Sequence, residues 1–481
     1  MKKYHAASIE VPLLSEMENT LKTPAPKIAS LPPSLARVTP LCLPNLDETQ
    51  VVRHFHRLSQ MNYGIDSGMY PLGSCTMKYN PKICEHIASW SCFAQTSPLQ
   101  DISTVQGNLQ VIYELEKWLC EITGMDAMTL QPAAGAQGEF TGALIARAYL
   151  KSIGEEQRDE IILPDTAHGT NPASATMSGF RLVEIPSTQE GTVDLEVLKK
   201  MVSEKTALFM LTNPNTLGIF ESDIKEIAEI VHDAGGLLYY DGANMNAIMG
   251  KTRPGDMGFD IVHLNLHKTF ATPHGGGGPG SGPVGVTRSL EKFLPVPRVV
   301  RSKQNYQLSY AFPESIGKIR SWYGNFSAIL KAYVYVRLLG PQGLKEAAEI
   351  AVLNANYMKE RILKNGCFDV PYKSLRKHEF VISAESLLKQ KGVRAADVAK
   401  RLLDYGLHAP TVYFPLIVKE ALMIEPTETE DRSSLDAYVE ALCSIANEEV
   451  ETLKAAPLVT PVGRIDEAEA VKRQVFTWND L

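Results

Sequence analysis

The chain has 481 residues, of which 44% are hydrophobic and 21% are charged, a composition typical of a folded protein with a large core. Its 48 basic and 55 acidic residues give a formal net charge of −7, which favours neither nucleic acid nor an anionic membrane as a partner. No run of about 18 apolar residues could cross a bilayer, and the first residues lack the apolar segment of a secretory signal, so we expect a cytoplasmic protein.

The cysteines are scattered through the sequence. An odd number without paired spacing predicts free thiols in a reducing compartment. No Cys-x-x-Cys pair and no His-Glu-x-x-His motif occurs, so we expect no metal site. The seven residues are Cys42, Cys75, Cys84, Cys92, Cys120, Cys367 and Cys443.

The N-terminal part of the chain predicts an extended arm. Residues 1–60 are assigned to it because most of this segment is rich in proline and leucine and shows neither a helical nor a strand period. Such a segment cannot form a core of its own, and we expect it to pack on another domain or subunit. Residues 70–81 are predicted to form a loop from their proline and glycine content.

From about residue 107, helical and strand patterns alternate. Apolar residues at helical spacing predict helices over 108–122, 138–150 and 194–202, with another starting at Ser222. Short continuous apolar runs predict strands at 160–164, 181–185, 207–211, 237–240, 261–264 and 284–286. This alternation predicts an α/β fold with a mainly parallel sheet that helices cover on both faces. We assign 61–330 to this large domain, 331–455 to a small α/β domain with a strand at 380–382, and 456–481 to a polar tail.

Three segments near predicted strand ends carry residues with chemical functions. Asp241 directly follows the apolar strand 237–240, and Lys268 follows the next strand, 27 residues later. Upstream, small residues at 133–138 open a helix whose free backbone N–H groups can bind an anion, typically phosphate. The carboxyl ends of parallel strands form the ligand crevice. A phosphate cradle, a carboxylate for a pyridine nitrogen and an amine for an aldehyde are the groups needed to hold pyridoxal phosphate.

Three further loops are predicted to face the same crevice. His168 follows the first predicted strand and could stack on a pyridine ring, although a structural histidine is equally consistent with this position. Residues 213–216 follow another strand and offer polar groups. The glycine-rich loop 275–283 matches the dinucleotide fingerprint in spacing, but Pro279 and Pro283 prevent the helix that should follow it. We expect the backbone of this loop to approach a ligand closely.

Six motifs in chain order resemble the P proteins of the glycine cleavage system, the decarboxylating glycine dehydrogenases. They are YPLGSCTMK at 70–78, QGE at 137–139, HGTNP at 168–172, TNPNTLG at 212–218, DGAN at 241–244 and HKT at 267–269. The resemblance covers nearly the whole chain. Its length is similar to that of one chain of the split bacterial form, and a chain with the lysine resembles subunit 2.

The resemblance implies a fold-type I pyridoxal-phosphate enzyme with a sheet of the seven-stranded type. It also implies glycine as substrate, a lipoyl-bearing H protein as co-substrate and a subunit 1 partner in an α2β2 heterotetramer. Lys268, Asp241 and His168 would be the catalytic residues. The other implied cofactor contacts are Ala134, Gly135, Ala136, Gln137, Asn213 and His267. The implied residues of the substrate entrance are Tyr70, Cys75, Lys78, Asn244 and His274.

Two other interpretations stay open at this point. One is another fold-type I enzyme, either an aminotransferase, which usually needs a carboxylate-binding arginine such as Arg376, or a cysteine desulfurase, which needs a mobile cysteine such as Cys367. The other is a scaffold subunit that keeps the fold without the chemistry. The presence of both Asp241 and Lys268 argues against the scaffold.

Overall fold

The computed structural model describes residues 11–17, 32–35, 37–39, 44–275, 280–372 and 374–476. About half of the predicted arm, residues 276–279 of the glycine-rich loop and the end of the predicted tail lie outside the described residues. The last part of the predicted arm is helical rather than extended. Asp47 caps this helix, because its carboxylate accepts a hydrogen bond from the Gln50 N–H (2.8 Å).

The described residues form fifteen α-helices, numbered α1 to α15 in chain order. They are Glu48–Gln60, Lys82–Ala88, Ser91–Ala94, Gln106–Thr123, Gly135–Ser152, Thr170–Met177, Leu195–Met201, Ile224–Asp233, Pro254–Met257, Phe326–Asn365, Glu385–Lys391, Ala395–Asp404, Arg432–Asn447, Val450–Ala455 and Glu467–Lys472. None of these described helices combines the length and the apolar character that a bilayer crossing requires. The helix predicted to start at Ser222 begins two residues later, at Ile224.

The same residues form twelve β-strands, numbered β1 to β12. They are Ala127–Thr129, Glu160–Pro164, Arg181–Ile185, Thr206–Leu211, Leu237–Gly242, Ile261–Leu264, Val284–Val286, Arg298–Ser302, Asn305–Ser309, Phe380–Ser383, Thr411–Val412 and Ala421–Ile424. The strands predicted at 160–164, 181–185, 261–264 and 284–286 are confirmed at both ends.

The central sheet has seven strands in the order β1-β7-β6-β5-β4-β2-β3. Strands β2 to β6 pair in parallel, whereas β7 is antiparallel to both β6 and β1. The predicted α/β fold with a mainly parallel sheet is therefore confirmed. Strands β4 and β6 are buried along their whole length, as expected for strands with helices on both faces.

A smaller sheet, in the order β10-β12-β11, is antiparallel throughout. One of its faces packs into a second hydrophobic core, and the other packs against Leu217 and Ile219, which follow β4. Helix α10 connects the two cores, since Ala348 lies in the core of the central sheet and Met358 in that of the small sheet. The helix is interrupted at Gly340, where φ is 61°, directly before Pro341. A proline there cannot donate the helical hydrogen bond, which explains the interruption. The domain boundaries given above remain a prediction.

The segment 70–79 joins the small sheet. Leu72 forms a β-bridge with Ile424, and the Gly73 N–H donates to the Met423 carbonyl (3.2 Å). A Cβ on Gly73 would lie 2.7 Å from that carbonyl oxygen, so only glycine permits this approach. The YPLGSCTMK motif is therefore bound to the small sheet, although the strands of that sheet lie about 300 or more residues later in the chain.

The prediction that all seven cysteines are free is wrong. Cys367, which follows α10, and Cys443, in α13, form a disulfide with their Cα atoms 5.2 Å apart. The two residues are 76 positions apart, so no spacing motif reveals the pair. The packing of α13 against α10 brings them together. The free cysteines among the described residues are Cys75, Cys84, Cys92 and Cys120.

Candidate active site

Four loops converge at the carboxyl edge of the central sheet. They carry four predicted site residues: Asp241 at the end of β5, His168 after β2, Asn213 after β4 and Lys268 after β6. These strands are neighbours and parallel, so their carboxyl ends meet at one edge. The Asn171 amide donates to Asp241 Oδ2 (3.0 Å) and so links the start of α6, which follows β2, directly to the end of β5.

Asp241 is a buried carboxylate held by several groups. Its exposed fraction is 2%, and its Oδ1 accepts a hydrogen bond from the Ala243 N–H (3.1 Å). Burial alone would raise the pKa of Asp241, but the imidazoles of His263 and His168 and the hydrogen bonds from Asn171 and Ala243 hold it below its ordinary value. Asp241 is therefore ionised at neutral pH.

Two residues to which the sequence analysis gave no role complete this cluster. Side-chain atoms of Glu139, Asp241 and His263 lie within 4.8 Å of one another. His263 Nδ1 is 2.8 Å from the Tyr239 hydroxyl, and its Nε2 is 3.4 Å from Asp241 Oδ1. Burial lowers the pKa of His263 to about 4, while burial and the charge of Asp241 raise the pKa of Glu139. Asp241 therefore carries the negative charge of this cluster.

His168 is fixed in place by the loop after β2. Its Nδ1 lies 2.9 Å from Thr170 Oγ1, and Thr170 Oγ1 donates to Glu139 Oε1 (2.7 Å). The His168 ring is half-buried, and burial lowers its pKa. A neutral imidazole with a fixed orientation is what stacking on an aromatic ring requires.

The start of α5 has the features of an anion site. Its N-cap residue Ala134 provides no side-chain acceptor, and the N–H groups of residues 135–137 have no acceptor within the described part of the chain. The Gln137 side chain is used inside the protein: its Oε1 accepts from the Ala133 N–H (2.5 Å), and its Nε2 donates to the Ile319 carbonyl (3.1 Å). The Gln137 side chain therefore holds the loop before α5 in place, while its backbone N–H remains available to bind an anion.

The loop after residue 279 packs closely against this helix start. A Cβ on Gly282 would overlap the Ala134 carbonyl oxygen, and one on Gly135 would overlap the Asn265 amide. Asn265 Oδ1 and the Ser281 hydroxyl are buried without a hydrogen-bond partner among the described residues. Unsatisfied polar groups beside free N–H groups fit a phosphate group that would complete them.

Lys268 lies half-buried beside two histidines. No hydrogen bond or ion pair joins its ammonium group to another described residue. The rings of His267 and His274 are 5.3 Å apart, and His267 Nδ1 accepts the Ser281 N–H (3.3 Å). Burial lowers the pKa of His267 to about 3 and that of His274 to about 4, and the positive charge of Lys268 lowers both further. Two neutral rings thus lie beside a lysine that makes no hydrogen bond or ion pair with the described residues.

Asn213 lies at the carboxyl end of β4 but its amide is used locally. Its Oδ1 accepts the Glu221 N–H (3.0 Å), and its Nδ2 donates to the Glu221 carbonyl (3.4 Å). The Asn213 carbonyl accepts the Tyr240 hydroxyl (2.6 Å). These bonds shape the loop after β4, and a direct contact of Asn213 with a cofactor stays a prediction.

Of the five residues predicted at the entrance, Asn244 donates its amide to the buried Glu425 (2.8 Å), and the other four divide into two groups. Cys75 and His274 lie near Lys268, whose charge affects the pKa of both. Tyr70 instead stacks on His408 with ring centroids 3.6 Å apart. Lys78 is 2% exposed and pairs with Glu428 Oε1 (2.7 Å), so it is an internal ion pair.

Two protein-family models match parts of the chain: glycine dehydrogenase, C-terminal domain, over 347–461, and aminotransferase class-V, over 138–278. A probable glycine dehydrogenase (decarboxylating) subunit 2 from Thermococcus onnurineus is 59% identical, covering 99% of this chain and 97% of its own length. The chain belongs to the family of glycine dehydrogenase (decarboxylating) subunit 2. A relative with the same description from Pyrococcus horikoshii is 58% identical over the same shares.

The fold agrees with this membership. The crystal structure of a glycine decarboxylase (P-protein) of the glycine cleavage system, in inhibitor-bound form, matches with a TM-score of 0.70. It is 21% identical, and the match covers 87% of this chain and 92% of that one. At this identity the likeness establishes the fold. The predicted fold class, fold-type I with a seven-stranded sheet, is confirmed, as is the family resemblance.

The side chains that the alternative enzymes would need are engaged elsewhere in this family member. The Arg376 guanidinium donates to the Ser374 hydroxyl (2.6 Å) and to carbonyl groups of its own loop. Cys367 is bonded to Cys443. Neither a carboxylate-binding arginine nor a mobile cysteine is therefore supplied by these two residues.

Proposed function

We propose that this chain binds pyridoxal 5′-phosphate, decarboxylates glycine and transfers the aminomethyl group to the lipoyl group of the glycine cleavage H protein. The observation that carries this proposal is the position of Asp241 and Lys268 at the carboxyl ends of adjacent strands, beside a helix start without a cap. Family membership supports it, because the relatives are described as decarboxylating glycine dehydrogenases.

The residues present fit this cofactor. The free N–H groups of residues 135–137 would bind the phosphate, Lys268 would bond to the aldehyde carbon, and Asp241 would pair with the pyridine nitrogen. When bound, the cofactor supplies an electron-withdrawing ring that takes up the electron pair left when the carboxylate of glycine departs as CO2. The remaining predicted contacts are Ala134, His168, Asn213 and His267.

Asp241 would hold a proton at the pyridine nitrogen. Its negative charge persists at neutral pH because its neighbours keep its pKa low, and a buried anion next to a nitrogen base favours the protonated base. Burial and the charge of Asp241 raise the pKa of Glu139 to about 7, which reduces the charge that this second carboxyl group adds near neutral pH. The negative charge that faces the ring is therefore mainly that of Asp241.

His168 would orient the ring from one side. The Thr170 hydroxyl contacts the His168 imidazole and donates a hydrogen bond to the Glu139 carboxylate, which fixes the ring. Thr170 and Glu139 are therefore positioning residues for His168. Glycine has no side chain to bind, so selectivity must come from excluding larger amino acids. The segment 73–78 is suited to this role, because it is anchored on the small sheet and brings Cys75 close to Lys268.

A partner chain is part of the proposal. The relatives are described as subunit 2 of their enzyme, and we expect a subunit 1 chain to complete an α2β2 heterotetramer here. The described residues include exposed apolar side chains on α1, with Val52 59% and Phe55 54% exposed. Apolar surface of this kind favours a protein contact.

Covalent mapping tests the cofactor site. Borohydride reduction of the protein with bound pyridoxal phosphate, followed by peptide mapping, should place the pyridoxyl group on Lys268. Lys268→Ala should take up no reducible cofactor and should show no glycine–CO2 exchange with added H protein and subunit 1. Lys78→Ala is the matched control for labelling, since Lys78 is a buried lysine bonded to Glu428. Label on any other lysine contradicts the assignment.

A further inference from the structure

Two buried carboxyl groups of the small sheet lie near the loop that carries Lys268. The Asn244 amide donates to Glu425 Oε1 (2.8 Å), and the next residue, Met245, donates its N–H to Thr269 Oγ1 (2.8 Å), directly beside Lys268. Glu379 directly precedes β10 and Glu425 directly follows β12. Because β10 and β12 are antiparallel, with Phe380 opposite Ile424, these two residues lie side by side at one end of the pair. They are 3% and 0% exposed, respectively. Nothing in the function proposed above uses them.

The pair holds the segment that carries Cys75. Glu425 accepts hydrogen bonds from the Thr76 N–H (2.9 Å), the Thr76 hydroxyl (2.7 Å) and the Asn244 amide (2.8 Å). Glu379 accepts one, from the Ser74 N–H (2.8 Å). Ser74 and Thr76 have φ angles of 63° and 50°, a conformation that L-residues adopt only where the surroundings compel it. Unequal hydrogen bonding makes Glu425 the better place for a negative charge.

A histidine without partners points into the same cluster. His378 is 2% exposed, and neither of its ring nitrogens has a hydrogen bond within the described residues. Its Nε2 is 3.6 Å from Glu379 Oε1, and ligand atoms of His378, Glu379 and Glu425 lie within 4.8 Å of one another. Two carboxyl groups this close and this buried cannot both be ionised. One proton therefore stays with the pair.

The other titratable groups around the pair add no negative charge. Burial lowers the pKa of His378 to about 3 and raises the pKa of the Cys75 thiol, so both are neutral near pH 7. Burial also lowers the pKa of His274, whose ring forms a hydrogen bond with the Cys75 backbone. Burial and the charge of Glu425 raise the pKa of Glu379, and burial raises that of Glu425. The positive charge of Lys268 opposes both of these increases.

We propose that Glu379 and Glu425 form an acid pair for Lys268, in which Glu379 holds a proton and Glu425 carries the negative charge that stabilises the protonated nitrogen joining Lys268 to the cofactor. Both act through Lys268 and are positioning residues. The inference rests on the proposed function, because it assumes that the cofactor is attached to Lys268.

A pH titration of the visible absorbance band of the cofactor-loaded protein tests this pair, because the band changes wavelength when the joining nitrogen loses its proton. Glu425→Gln removes the charge at constant shape and should lower the midpoint of this change by about one pH unit or more. Glu379→Gln is the matched control inside the pair, since an amide resembles a protonated carboxyl group, and should leave the midpoint within a few tenths of a unit. Glu425→Asp should restore the wild-type midpoint.

The outcomes separate this inference from the proposed function. A wild-type protein that binds pyridoxal phosphate without any visible band at Lys268 overturns the proposed function itself. A normal band whose midpoint is unchanged in Glu425→Gln, or lowered equally in Glu379→Gln, overturns the acid pair alone. If Glu425→Gln does not fold, Glu379→Gln still decides, because a midpoint lowered by about one unit contradicts the assignment of the proton to Glu379.

Discussion

A single carboxylate, Asp241, depends on its neighbours for its charge. Asp241→Asn keeps the shape and can accept one of the two hydrogen bonds that Asn171 and Ala243 donate to Asp241, but it removes the negative charge. Much of the cofactor binding should remain, because the phosphate cradle and Lys268 are unchanged. The glycine–CO2 exchange should fall by about a hundredfold, the typical cost of losing one preorganised electrostatic contact. Absorbance of the bound cofactor and exchange with added H protein and subunit 1 measure the two effects separately.

The control for this substitution is Asp233→Asn, the same chemical change at an exposed residue at the end of α8. It should leave both measurements unchanged. Exchange near the wild-type rate in Asp241→Asn would show that the charge of this residue has no part in the reaction.

Individual residues also show where sequence reasoning stops. Asp241 and Lys268 could be predicted because Asp241 ends one apolar strand and Lys268 lies in the loop after the next, and parallel strands place such residues together. Glu425 and Thr76 could not, because their contact joins positions 349 residues apart in the chain. Glu139 lies in a recognised motif, but only the folded chain brings its carboxylate beside Asp241 and His263. The signal in the sequence is an acidic residue among the small and apolar residues that begin a predicted helix.

The strands of the central sheet were the easiest elements to predict. Strands β2, β6 and β7 are buried runs with the predicted ends. Strand β3 also has its predicted ends, but it lies at the edge of the sheet and only its last residue is buried. The hairpin of β8 and β9 went unpredicted, since its sequence is mixed and its strands pair only with each other. The interruption of α10 depends on Gly340 and Pro341, within a segment whose helical period continues on both sides.

The contact between helix α5 and the loop after residue 279 should control phosphate binding. Gly282→Ala places a methyl group against the Ala134 carbonyl oxygen, and overpacking of this kind costs about 1–3 kcal/mol. We expect the dissociation constant of pyridoxal phosphate to rise by about tenfold or more. Gly107→Ala is the control, because no atom lies within 4 Å of the added methyl group. Equal cofactor affinity in both variants would show that the contact does not shape the cradle.

The link between α10 and α13 gives a prediction about thiols. With Cys367 bonded to Cys443, unfolded but unreduced protein should titrate 7 − 2 = 5 thiols, and all seven after reduction. A link between residues 76 positions apart restricts the unfolded chain, and its loss should lower the free energy of unfolding by about 4 kcal/mol. Thiol titration and denaturant unfolding with and without reductant measure both. Seven reactive thiols in unreduced protein would contradict the bond.

Two hydrophobic cores share one crevice. Helix α10 passes from one core to the other, and the segment 70–79 comes from the N-terminal side of the central sheet yet is bonded to the small sheet. Lys268 lies in the chain between Leu266 and Phe270 of one core, whereas Glu379 and Glu425 adjoin Phe380 and Ile424 of the other. Any shift of the small sheet would move Cys75 and this pair together relative to Lys268.

The chain should need its partner for activity. Exposed apolar side chains occur at two places. One is α1, with Val52 and Phe55. The other is a cavity of about 650 Å³ between α3, α4 and α10, where Leu99 is 78% and Trp322 42% exposed. So much apolar surface at two places favours a large obligate interface, above about 2,000 Å². Light scattering should detect a complex of this chain with subunit 1, and Phe55→Glu should weaken it by tenfold or more, about 1.4 kcal/mol. Glycine–CO2 exchange with H protein should require both chains. Full exchange by this chain alone would contradict the proposed assembly.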